Sequence, residues 1–122
     1  MATVRYLVND VEQSMNFYGE YFGFKLEQQH GPAIAIMSKD DLTLWLAGPV
    51  ASAAQPMPDG SKPVPGGWNR FVIQTENLTE LVSNLKGKVH FRNEILKGPG
   101  GMQILCEDPS GNVIELFQPA KE

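Results

Sequence analysis

Residues 4–8, Val-Arg-Tyr-Leu-Val, are a short run rich in apolar and β-branched residues, and the apolar spacing then changes to three and four. The run predicts a strand, and the stripe Val11, Ser14-Met15, Tyr18, Tyr21-Phe22 predicts an amphipathic helix. Asp10 stands at its start as an N-cap with Gln13 three residues on, the capping-box spacing, and Gly23 ends it. Residues 24–29, 33–38 and 42–47 read as three more strands, the last two joined by a turn at Lys39-Asp40-Asp41. The order then recurs. Residues 70–75 read as a strand, Asn77 caps a helix with Glu80 in the box position, and Leu78, Leu81-Val82 and Leu85 form its stripe before Gly87. Residues 89–96, 102–107 and 112–117 read as strands, separated by turns at 98–101 and at Asp108-Pro109-Ser110-Gly111. Pro49 and Pro119 close the two halves. The repeat lies in pattern and order rather than in residue identity: β-α-β-β-β twice, an α+β chain. A twofold-repeated unit of this kind can build a cavity between its copies.

Residues 48–67 break the pattern with five prolines and four glycines. A loop of that length within a domain signals a linker or a functional segment. The expected organisation is a first module over 1–49, a Pro/Gly/Ala-rich linker over 50–67 and a second module over 68–122, together one domain.

Strand parity sorts the side chains into two faces. Val4, Tyr6, Val8, Leu42, Leu44, Leu46, Phe71, Ile73, Ile114 and Leu116 make an almost purely aliphatic face, expected under the helices. The opposite face is mixed: Thr3, Arg5, Thr43, Trp45, Arg70, Val72, Gln74, Val113, Glu115 and Phe117. A solvated sheet surface is one reading of such a face. The other is the wall of a cup, apolar with a few polar groups, as small-molecule sites usually are.

The 42% apolar content suffices for a core, and the net charge of −4 with no basic stripe argues against a nucleic-acid partner. The opening residues lack a basic run followed by an apolar stretch, and no apolar run approaches a membrane span, so a cytoplasmic chain with no membrane partner is expected. Cys106 is the only cysteine and has no partner for an internal disulfide.

Two stretches carry a family resemblance. The first is Asn9-Asp10-Val11-Glu12-Gln13-Ser14-Met15-Asn16-Phe17-Tyr18 with Phe22-Gly23-Phe24. The second is Glu107-Asp108-Pro109-Ser110-Gly111-Asn112-Val113-Ile114-Glu115-Leu116. With the paired modules, they make the chain resemble the vicinal oxygen chelate superfamily, which includes glyoxalase I, bleomycin-resistance proteins, fosfomycin-resistance enzymes and extradiol dioxygenases. The resemblance implies two βαβββ modules forming an eight-stranded incomplete barrel around a pocket, built within one chain or by exchange across a homodimer.

The metal enzymes of that superfamily place ligands at four strand positions, which fall here on Thr3, Trp45, Arg70 and Glu115. Thr3 to Arg70 spans 67 positions, as does Asp10 to Asn77; Trp45 to Glu115 spans 70, as does Pro49 to Pro119. Of these four only Glu115 is a good donor to a divalent cation, since tryptophan offers only an N–H and arginine has no lone pair to give. No metal ligand and no cofactor is therefore expected; a divalent metal is the alternative if the landmarks are shifted. An Arg70–Glu115 ion pair would take the metal's place, either as a purely structural pair or as a ligand site. In the latter case Arg70 binds an anionic or carbonyl group and Trp45 stacks on a flat or cationic portion. Thr3, Arg5, Trp45, Trp68, Arg70, Gln74, Glu115 and Phe117 are the candidate ligand-binding residues. The leading expectation is a protein that binds a small organic molecule in a cup-shaped pocket. The alternative is a lyase or isomerase of the superfamily, lactoylglutathione lyase-like or epimerase-like, with Glu115 as general base and Arg70 stabilising an enolate. His30 and His90 fall on no ligand position and read as surface histidines, Cys106 reads as a buried inert thiol, and 98–101 reads as a hairpin turn.

Overall fold

The computed structural model describes residues 2–121. Contacts divide the chain into two units, one running to Gly67 and including the turn Pro109–Asn112, the other comprising Trp68–Asp108 and the residues from Val113.

In the first unit, β1 (Ala2–Leu7), α1 (Val11–Phe22), β2 (Lys25–His30), β3 (Ile34–Lys39) and β4 (Leu42–Ala47) follow in that order. The sheet order is β1-β4-β3-β2. β1 runs parallel to β4 and the other pairs are antiparallel. The helix forms as its caps dictate. Asp10 is extended and its Oδ1 accepts from the Gln13 N–H at 3.0 Å, while Gly23 takes the left-handed conformation at φ 72°. Its apolar stripe packs on the sheet, where Phe17, Tyr18, Phe22, Met37, Leu44 and Leu46 are buried. Phe17, Tyr18, Phe22 and Phe24 meet mostly edge to face, the arrangement the ring quadrupoles favour. Residues 48–67 hold internal structure: a 3-10 turn at Ser52–Ala54, a Met57–Ser61 turn closed at 2.7 Å, and an Asp59 carboxylate that accepts from the Ser61 hydroxyl and N–H. Those two bonds hold Asp59 below the usual carboxylate range.

In the second unit, β5 (Phe71–Gln74), α2 (Leu78–Leu85), β6 (His90–Phe91), β7 (Leu96–Gly98), β8 (Gly101–Glu107) and β9 (Val113–Pro119) follow. The sheet order is β5-β9-β8-β6, with β7 also on β8. β5 runs parallel to β9, repeating the β1–β4 arrangement. Asn77 caps α2 through its Oδ1 to the Glu80 N–H at 3.1 Å. The Gln118 amide oxygen takes the N–H of Leu78 at 2.8 Å, a cap supplied from β9. The single strand expected over 89–96 is broken in two. The Arg92 N–H still donates to the Leu105 carbonyl, but the Asn93 side-chain oxygen accepts the Leu105 N–H at 2.9 Å. A side chain thus stands in for the strand backbone, and regular pairing resumes only at Leu96. Leu78, Leu85, Ile104, Cys106, Ile114 and Leu116 form the buried layer.

Tyr6, Val8, Leu44, Leu46, Phe71, Ile73, Ile114 and Leu116 are buried as the aliphatic face requires, while Val4 and Leu42 are partly buried; Val113 on the mixed face is buried as well, as is Ala47, which shares the parity of Thr43 and Trp45. Among the described residues no helix is long and apolar enough to cross a membrane.

Candidate functional site

The mixed face of the second unit gathers most of the chemistry. β8 and β9 pair so that Leu105 opposes Glu115 and Gln103 opposes Phe117. β5 and β9 pair so that Val72 is level with Glu115 and Gln74 with Phe117. Residues level with one another point to the same side, so Gln74, Phe117 and Gln103 form one row and Val72, Glu115 and Leu105 the next.

Arg70, one residue before β5, reaches diagonally to Glu115. Its Nε donates to Glu115 Oε1 at 3.0 Å and its Nη2 lies 2.9 Å from the same oxygen. Nη1 donates to the Trp68 carbonyl at 3.2 Å. With its amide turned so that both of its polar atoms find partners, Gln103 donates its NH2 to the carboxylate, 3.1 Å from Oε2 and 3.2 Å from Oε1. The Glu115 side chain is 12% exposed and that of Arg70 30%, so the carboxylate is largely withdrawn from water while one edge of the guanidinium stays open. Three of the five guanidinium N–H bonds are engaged by these contacts, and two remain for an incoming oxygen.

A second ion pair lies beside the first. Arg92 Nε meets Glu107 Oε2 at 2.7 Å, and the Arg92 guanidinium carbon sits 4.6 Å from the centre of the Trp68 ring. Trp68 is 68% exposed. Arg70 holds its backbone and Arg92 covers its indole, so a large aromatic side chain is presented to solvent in a fixed attitude.

In the first unit Arg5 and Trp45 are level on the parallel pair, and the Arg5 guanidinium lies 5.0 Å from the Trp45 ring centre. Thr3 is level with Thr43. Thr3 and Arg5 are exposed and Trp45 is partly buried.

The structure therefore brings Trp68, Arg70 and Glu115 into contact, sets Gln74 and Phe117 in the adjacent row, and pairs Arg5 with Trp45. Sequence reasoning missed Gln103, Arg92 and Glu107. Parity within residues 101–107 groups Gln103 with Glu107, but only the β8–β9 register shows that they share the face of Glu115. Arg92 had no such signal, because it lies where the expected strand is interrupted.

Among the described residues no three His, Cys, Asp or Glu side chains come together to hold a metal ion. The donor chemistry at Thr3, Trp45, Arg70 and Glu115 does not suit the divalent cation of the superfamily's metal enzymes, since the one carboxylate is already neutralised by a guanidinium. His30 bonds the Gln28 amide at 2.6 Å on the exposed β2, and His90 is exposed. Cys106 is fully buried. Burial, followed by the charges of Asp108 and Glu107, pushes its thiol up to about 12.

Two open mixed sheets, each with one parallel pair and one capped helix, define an α+β protein with the glyoxalase-type fold. The sequence matches the Glyoxalase/Bleomycin resistance protein/Dioxygenase superfamily over residues 1–116, and the chain belongs to that family. It is 26% identical to a lactoylglutathione lyase of Arabidopsis thaliana over 125 residues, covering 94% of this chain but only 42% of that protein's length. Among solved structures it resembles TnmS3, an antibiotic binding protein from Streptomyces sp. CB03234, at 26% identity and TM-score 0.72 over 97% of this chain and 93% of that one. A lactoylglutathione lyase from Agrobacterium tumefaciens shares the fold at 15% identity and TM-score 0.76, covering 97% and 92% of the two chains.

Proposed function

We propose that the protein binds a small, planar, oxygenated organic molecule on the mixed face of the second unit's sheet without using a divalent metal. The observation that carries this reading is the ion pair between Arg70 and the largely withdrawn Glu115 carboxylate, at two positions where the family resemblance implies metal ligands. The guanidinium supplies fixed positive charge there, and its two unengaged N–H bonds can take a carbonyl or carboxylate oxygen. The fixed indole of Trp68 offers a stacking surface next to it, and Gln74 and Phe117 in the adjacent row are the further contacts we assign to the ligand. The similarity to an antibiotic binding protein supports a sequestering role.

A second reading, a lyase or isomerase, draws on the similarity to a lactoylglutathione lyase and on the withdrawn carboxylate of Glu115. Glu115 would then remove a proton and Arg70 would hold the developing enolate oxygen.

The test is titration with a panel of quinones and aromatic carboxylates, followed through the fluorescence of Trp45 and Trp68, with metal analysis of the purified protein. Binding that weakens at least tenfold in Arg70→Met, in protein with no stoichiometric divalent metal, is the expected result. Equal binding by Arg70→Met and wild type, or a stoichiometric transition metal, would overturn it. Deuterium incorporation from solvent into a bound ligand, abolished in Glu115→Gln, would replace sequestration with the second reading.

A further inference from the structure

A hollow of about 150 Å³ lies in the first unit, lined by none of the residues of the arginine cluster. Leu7 and Ala47, which close β1 and β4, line it together with Ala54 of the 3-10 turn and residues 62–65 of the long loop. Apart from Lys62 and Asn9 this lining is apolar, and a dry apolar cavity of about this volume is large enough for benzene. The covering segment is held rather than draped. Asn112, only 4% exposed, donates its amide NH2 to the Leu7 carbonyl at 2.7 Å and accepts the Gly66 N–H at 2.8 Å. One side chain thereby fixes both the strand end beside the hollow and the end of the loop that lines its other side. Lys62 is exposed, and among the described residues no carboxylate pairs with it.

From this juxtaposition we infer that the hollow is a second binding site, one that takes a single aromatic ring carrying a carboxylate. The ring fills the apolar space, the carboxylate stays at the mouth because burying it unpaired is too costly, and Lys62 meets it there. Asn112 is the positioning residue that keeps the two walls apart. This inference is independent of the reading given to Arg70.

The probe is benzoate, with toluene and benzylamine as controls, followed by amide chemical shifts of the labelled full chain. Benzoate is expected to shift Leu7, Ala47, Ala54 and Val64 in a saturable way and to bind more tightly than benzylamine. Lys62→Gln, a surface change that leaves the fold intact, is expected to weaken benzoate at least fivefold and leave toluene unchanged. Ala54→Phe is expected to abolish binding of both. No saturable shifts with 20 mM benzoate would overturn the inference, and so would equal affinity in Lys62→Gln. Shifts lost in Arg70→Met but kept in Lys62→Gln would place the ligand on the arginine cluster instead and equally refute it.

Discussion

Asn112 offers a sharp test of the physical account because its side chain bonds two named backbone groups. Asn112→Ala removes the donor to the Leu7 carbonyl and the acceptor for the Gly66 N–H. Leu7 is partly buried and Gly66 exposed, so water reaches the second group more easily than the first. A buried carbonyl left unmatched costs about 1–2 kcal/mol and a solvent-reachable N–H about 0.5–1, giving a loss of about 2 kcal/mol. Unfolding entropy near 2.1 cal/mol/K per residue makes the total about 260 cal/mol/K for this length, so the melting temperature should fall by about 8 °C. Asn112→Asp refines the test. It keeps an acceptor for Gly66 but turns a carboxylate oxygen towards the Leu7 carbonyl, so at neutral pH it should be at least as damaging as alanine. Thermal denaturation followed by circular dichroism reads both. A drop under 2 °C for Asn112→Ala, or wild-type stability for Asn112→Asp, would refute the reasoning.

Arg70→Met leaves the withdrawn Glu115 carboxylate with only the Gln103 amide, and urea denaturation should show a loss of about 1–3 kcal/mol. Because the Cys106 thiol is raised from 9.0 to about 12, its contribution to stability is intact below pH 9 and declines as pH climbs towards 12. The fall is at most about 1.4 kcal/mol per pH unit, and Cys106→Ala should remove that dependence in denaturation midpoints taken above pH 9. The same thiol should resist a thiol-reactive dye until the protein unfolds. Gly48→Ala would drive a Cβ into the Pro32 carbonyl oxygen and to 2.8 Å from a Val11 methyl, so a loss of at least about 1–3 kcal/mol is expected by calorimetry. Asn77→Ala should cost about 1 kcal/mol by removing the Glu80 cap, read in the same way.

Local chemistry made much of the architecture legible. Asp10 and Asn77 cap helices because a short polar side chain can reach an orphan N–H three residues on, and Gly23 ends α1 because it adopts φ 72° at no steric cost. Alternation found the aliphatic face because side-chain direction has a period of two whatever the neighbours are. The same parity placed Arg70 and Glu115 on one face. It could not show that they touch, because contact depends on the register of β5 against β9. Tertiary structure alone decided that Gln103 would join the carboxylate, and that Arg92 would leave its strand, pair with Glu107 and cover Trp68. It alone folded the proline-rich loop against the ends of β1 and β4, with Asn112 as the clasp. A sequence fixes which groups a segment can offer within a few residues of itself. Pairing partners 45 to 105 positions away are set by how the sheets and loops pack.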